Sequence, residues 1–358
     1  MSRRGGCPIQ ITSLIQGKSL IPTNLSQVKM ICFNHPPEPW TATYSGQCVK
    51  RPIMSTFMQS LILCGTVATA AVHAQSNLKP DWPMPPGVDH VWIDQYPIAY
   101  QQHGRGEPLV LVHGSMGDYR TWAAQVPELS RHYRVFSLSL PRYYPEKWNG
   151  RGDRFGVVEH ARAVADFIKA LDLGKVHLVG HSRGGAVALK VASLHPEVIR
   201  TLLLADPSGM ENLLPDSPDS QRLLAQSRHL RQNLIDAINR GEPEKGAEEF
   251  TDALGVPGTW KRRSPEQRAA FMDNLGTAIG DSGPRPSTRC EDIAQWNFPV
   301  QLIHGARSPG RYPAMGMAAR QCNPAIGQAV TVPEAAHSMN RENPTVFNQA
   351  VLKFLAGR

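Results

Sequence analysis

Val176-His177-Leu178-Val179-Gly180-His181-Ser182-Arg183-Gly184-Gly185 is the stretch that decides the fold. Val176, Leu178 and Val179 form strand. Gly180–Gly184 is a Gly-x-Ser-x-Gly pentad. Ala186, Val187, Ala188, Leu189, Val191 and Ala192 then read as a buried helix. The pentad alone is a common small-residue turn. Between a buried strand and an apolar helix it reads as a nucleophile elbow: side chains at Gly180 and Gly184 would clash, and Ser182 is held strained with its hydroxyl exposed. The helix behind Ser182 points its first amides at any developing oxyanion.

Composition places this stretch in an ordinary globular chain. The 358 residues leave room for one large domain with an insertion, and the 41% apolar content supports a substantial core. The net charge of +8 is uneven. Residues 1–74 hold six basic residues and one acidic, leaving 32 and 29 in the rest of the chain. That near balance, with no basic stripe, argues against nucleic acid as a partner. No Cys/His spacing resembles a metal site, and no cofactor is expected.

Lys50-Arg51, the apolar run Leu61–Ala68 and the small-residue end Val72-His73-Ala74 make residues 49–74 a secretory signal peptide, and the chain periplasmic or secreted. The run is too short for a membrane span, and Leu63 before Cys64 argues against a lipid anchor. Residues 1–48 are expected to be a non-native or disordered extension, with translation starting near Val49 or at Met54. Four cysteines fall within residues 1–74. Cys290 and Cys322 remain, either as a disulfide or as two separately buried thiols.

After a linker over 75–87, strands are predicted at His90–Asp94, Pro97–Gln101, Pro108–Val112, Tyr133–Leu140, Val176–Gly180, Arg200–Ala205, Pro299–His304 and Gln328–Val332. Helical patterns lie between them. Residues 211–289 break the alternation with polar, helical sequence. This predicts an α/β fold: a mostly parallel sheet covered by helices on both faces, from 88–210 and 290–358, with 211–289 as a helical insertion. Ligands bind such sheets beyond the carboxyl ends of the strands. The polar motifs fall at those ends.

Acyl transfer needs a nucleophile, a base, a group to orient the base, and an oxyanion hole. Ser182 is the candidate nucleophile. His337, on a loop after the last strand, is preferred as base over His177, His195 and His304. The backbone amides of Arg183 and Ser115 are the candidate oxyanion hole, with Met116 the fallback donor and His113 bracing the loop. Met116 and Trp260 are candidate substrate contacts. Trp260, Phe250, Phe271 and Leu275 either line an apolar pocket or hold the insertion together, and residues 142–148 form either a pocket rim or a surface loop.

His113-Gly114-Ser115-Met116-Gly117, the Ser182 pentad, and His337 followed by Glu342-x-Pro344 together resemble the α/β-hydrolase fold family, in its lid-bearing serine esterase-like branch. The resemblance spans about residues 88–357 and implies about eight strands with a helical cap after the sixth. Such proteins often carry the acid in a Gly-x-x-Asp turn after the seventh strand. Here that turn is Gly305-Ala306-Arg307-Ser308, with serine in the acid's place. Serine carries no charge, so Asp206, ending the preceding strand, is assigned to orient His337. Its other reading is a turn cap before Pro207; Asp281, Asp292 and Glu334 end no core strand. Ser308 is expected to contribute little.

The expected function is hydrolysis of a small carboxylic ester through an acyl-enzyme. Carbon–carbon bond hydrolysis and lactone hydrolysis use the same residues. A different class, a non-catalytic binding protein with a degraded triad, is separated from these by serine reactivity. Neither the substrate beyond a small molecule nor the oligomeric state is encoded in these patterns.

Overall fold

The computed structural model describes residue 80 and residues 82–358, apart from residue 95, residues 153–154 and residues 282–286. The expected signal peptide and the segment before it lie outside the described residues.

Eight strands form one sheet: β1 (Asp89–Ile93), β2 (Tyr96–His103), β3 (Pro108–Val112), β4 (Arg134–Leu138), β5 (Val176–His181), β6 (Ile199–Ala205), β7 (Val300–Gly305) and β8 (Val330–Val332). Their order is β1-β2-β4-β3-β5-β6-β7-β8. β1 and β2 pair antiparallel with each other, β2 antiparallel with β4, and every later pairing is parallel. The longer helices are α1 (Val157–Ala170), α2 (Arg183–Leu194), α3 (Pro218–Asn239), α4 (Pro243–Leu254), α5 (Pro265–Asp273), α6 (Arg311–Cys322) and α7 (Pro344–Leu355).

Continuous apolar runs such as Pro108–Val112 form strands covered on both faces, because successive side chains point to opposite sides. Val110 and Val112 pack with Leu178, Leu202 and Leu204 against α1, α2 and α6. Leu109 and Leu111 pack with Val179, Leu203 and Ile303 against Trp122 and α7. α7 begins where Asn343 accepts from the Val346 amide at 3.3 Å and Pro344 takes the first turn. Its Phe347 ring lies 6.4 Å from that of Trp122, fully buried; truncating it to alanine would cost about 3–5 kcal/mol.

Between β6 and β7 the described residues of the insertion carry α3, α4 and α5. Met116, Leu234, Trp260, Phe271 and Leu275 form an apolar cluster there, apart from the two sheet cores. Cys290 and Cys322 are joined in a disulfide that ties the residues just before β7 to the last residue of α6. Closing a loop of this length stabilises by roughly 2–4 kcal/mol. Among the described residues no helix is long and apolar enough to cross a membrane.

Candidate active site

The strand order sets the site. β3 and β5 are neighbours, so the loop after Val112 meets the turn after His181. A Cβ on Gly114 would lie 3.0 Å from that of Ser182. The chain turns at Ser182 with φ 54° and ψ −119°, a conformation strained for serine. It persists because the Ser182 amide donates to the Ala205 carbonyl at 2.9 Å, and the Gly185 and Ser208 amides both donate to its own carbonyl.

Three residues from separate strand ends form a hydrogen-bonded line. The Ser182 hydroxyl donates to His337 Nε2 at 2.9 Å, and His337 Nδ1 donates to Asp206 Oδ2 at 3.0 Å. All three are buried, Asp206 completely. Burial favours the neutral form of each ionisable partner. It pushes His337 down to about 3, helped by the charges of Arg311 and Arg263. It pushes Asp206 up to about 8, opposed first by a hydrogen bond from Ser308. His337 is therefore a neutral imidazole at rest, ready to accept the serine proton.

Contacts that the sequence reading missed hold this line in place. His181, inside the pentad, donates from Nε2 to the His337 carbonyl at 2.7 Å. Tyr312 stacks on the His337 ring at 4.6 Å, and Arg311 donates to the Tyr312 hydroxyl at 2.6 Å. His181 was signalled by its place in the pentad; Tyr312 had no local signal. Ser308, expected to contribute little, donates to Asp206 Oδ2 at 2.6 Å.

Arg183 and Ser115 frame the other side of the serine. Arg183 is the first residue of α2, where an amide has no intrahelical acceptor. Its side chain is fully buried, donating to Asp281 at 2.9 Å and to His160 Nδ1 at 2.8 Å. Ser115 and Met116 line the cavity above Ser182. His113 braces their loop: Nδ1 donates to the Gly114 carbonyl at 2.8 Å, while Nε2 accepts from the Leu140 amide at 3.0 Å.

The cavity runs from Ser182 and His337 to Leu230, Leu234, Phe250 and Phe271 of the inserted helices. Trp260 is a correction. It is absent from the cavity wall and packs behind it, edge-on to Phe271 at 5.4 Å, because its indole is needed to close the insertion's own core. Leu275 and residues 142–148 also lie off the wall. Arg263, Arg311 and Arg341 also line the cavity, and none of them forms an ion pair among the described residues. Arg263 Nη1 is buried without a hydrogen-bond partner, and burial beside Arg341 lowers Arg263 to about 9. No cluster of His, Cys, Asp or Glu among the described residues is arranged to hold a metal ion.

The sequence profile described as the alpha/beta hydrolase family matches residues 109–350, which include all of these positions from Ser115 to His337. The chain belongs to the alpha/beta hydrolase family. A dihydrolipoyllysine-residue acetyltransferase component of an acetoin cleaving system from Pseudomonas putida is 30% identical over 263 residues, covering 70% of this chain and 64% of that protein. A 2-hydroxy-6-oxo-2,4-heptadienoate hydrolase of Pseudomonas putida is 36% identical over 121 residues, covering 33% of this chain and 43% of that protein. The chain thus covers less than two thirds of either relative. In solved structures, a Bacillus subtilis carboxylesterase aligns at a TM-score of 0.61 and 18% identity, over 82% of this chain and 99% of its own. That likeness shows the alpha/beta hydrolase fold alone.

Proposed function

We propose that this alpha/beta hydrolase is a serine enzyme that cleaves a small carboxylic ester through an acyl-enzyme. One observation carries the reading: the Ser182–His337–Asp206 line, with Nε2 2.9 Å from the serine oxygen and a neutral imidazole between. His337 takes the hydroxyl proton as Ser182 Oγ bonds to the substrate carbonyl carbon. The oxyanion is received by the amides of Arg183 and Ser115. Collapse breaks the carbon–oxygen bond, and His337 returns the proton to the leaving alcohol. Water, deprotonated by His337, then releases the acid and frees Ser182.

Helices 211–289 act as a cap that closes this cavity. The unpaired Arg263, Arg311 and Arg341 favour a substrate bearing a carboxylate, since uncompensated buried cations are costly unless an anion meets them. The same wall supports a second reading, carbon–carbon bond hydrolysis, because the matched relatives include hydrolases of 2-hydroxy-6-oxo dienoic acids. The leader-like residues 49–74 and the cysteine pair support export to the periplasm or medium. N-terminal sequencing of the exported protein tests this, a start at residue 75 being expected.

A fluorophosphonate probe should label the wild type and leave Ser182→Ala unlabelled. Folded wild type that resists the probe would instead favour the binding-protein reading. Given labelling, turnover of p-nitrophenyl esters, neutral or carboxylate-ended, against a 2-hydroxy-6-oxo dienoate separates ester from carbon–carbon chemistry.

A further inference from the structure

We propose that Ser308 is a positioning residue for Asp206: its hydroxyl favours the ionised carboxylate and holds it turned toward His337. This rests on the catalytic reading above.

Asp206 is wholly buried, and its Oδ1 has no hydrogen-bond partner. Both side-chain hydrogen bonds of the carboxylate converge on Oδ2, one from Ser308 and one from His337. The second, from Nδ1, belongs to the base that the acid orients and strengthens as Nε2 takes up a proton. Ser308 has no such duty.

The geometry also decides which way the Ser308 proton points. The Gly305 amide donates to Ser308 Oγ at 3.0 Å, and the Ser308 amide donates back to the Gly305 carbonyl at 3.0 Å. With the oxygen accepting from Gly305, the hydroxyl hydrogen is directed to Asp206 Oδ2, only 2.6 Å away. A short bond from a neutral donor to a carboxylate stabilises the ionised form.

The backbones on either side are fixed independently of this contact. β6 and β7 pair through Ala205 and Ile303, and the Asp206 amide donates to the Ile303 carbonyl at 2.9 Å. Asp206 itself stands at φ 43°, in the left-handed region, so the strand end is already committed to presenting this side chain. The other groups facing the carboxylate are His337, His304 on β7, and Arg311 and Tyr312 at the start of α6. His304 and Arg311 favour the anion at longer range, while burial opposes it; Ser308 is the foremost counterweight.

The sign of the effect follows. Without the hydroxyl, Asp206 takes up a proton at higher pH, and a neutral acid no longer stabilises the imidazolium of the transition state. Ser308→Ala should therefore lower kcat by about tenfold, on the scale of one hydrogen bond to a charged group. KM should stay within about twofold and the acid limb of kcat should move to higher pH. Ser308→Thr, which keeps the hydroxyl, should restore both. In an Asp206→Asn background, Ser308→Ala should cost nothing further. The proposal is overturned if Ser308→Ala leaves kcat and its acid limb unchanged, or if it costs the same tenfold in the Asp206→Asn background. If Asp206→Asn itself keeps wild-type turnover, the catalytic reading fails and takes this proposal with it. A loss in Asp206→Asn without one in Ser308→Ala fails the proposal alone. Thermal unfolding of each variant establishes that it is folded.

Discussion

The two walls of the cavity are built on opposite terms. At the strand ends, Ser182, His337 and Asp206 are linked in series, and His181, Tyr312 and Ser308 brace them. The other set lining the cavity, Arg263 from the insertion, Arg311 from α6 and Arg341 from a short helical turn after β8, presents charge with no carboxylate paired to it among the described residues. The first wall is organised before any ligand arrives, which is where electrostatic catalysis gains its advantage. The second is left unsatisfied, which is costly to the fold and useful only to a ligand. The triad groups are thus satisfied by one another, whereas the arginines lack an acidic partner among the described residues.

Asp206→Asn breaks the comparison hardest. With the fold intact, turnover should fall by a factor on the order of 10³–10⁴, because the imidazole loses its orienting charge. Near-wild-type turnover on a competent ester would show that the strand-end wall works without its acid.

Arg263→Met sharpens the other side. Methionine keeps apolar contact with Trp260 and Phe271, over which the guanidinium lies at 5.5 and 5.3 Å. Turnover of a carboxylate-ended ester should drop about 10- to 100-fold in kcat/KM, the worth of a charged hydrogen bond. A neutral ester of equal length should be nearly unaffected. Equal losses on both substrates would make Arg263 a packing residue and erase the distinction between the walls.

Acid titration of stability reads the burial of the histidines around the site. Burial depresses His113 to about 4, and also lowers His160, His177, His181 and His337. Below their ordinary value of 6.5 the unfolded chain binds protons that the folded chain refuses, so stability should fall as pH drops from 6.5 toward 4. Each such group contributes up to about 1.4 kcal/mol per pH unit. Asp206, raised by burial, acts in the opposite sense but is one group against five. Urea unfolding midpoints at pH 7, 5.5 and 4.5 measure the slope; a flat profile would mean that these histidines are protonated in the folded state.

How much of this was readable beforehand varies with range. The strands fall within a few residues of the sequence reading: Pro108–Val112 matches at both ends, and the short β8 begins at Val330 where Gln328 was expected. Trp122, Val126 and Leu129, spaced as on one helix face, are found in a 3₁₀ turn and one short α-helical turn. Trp260 was misplaced because an aromatic in a cap reads the same whether it faces a cavity or backs a neighbour. Ser308 was undervalued because its residue type shows no charge, while its effect depends on a carboxylate 102 positions away.

The sequence by itself determined the alternation of apolar strand and amphipathic helix, the elbow at Ser182 and the late loop bearing His337. These are local properties: side-chain periodicity, glycine at a turn too tight for Cβ, an apolar run between polar ends. Only the tertiary structure decided which carboxylate reaches His337, that Ser308 donates to it, and that arginines at 263, 311 and 341 line one cavity. Those facts depend on which strand ends become neighbours and which polar groups lose water together. Hydrogen bonds and burial act through space, so residues with no relation along the chain acquire their roles when the sheet assembles.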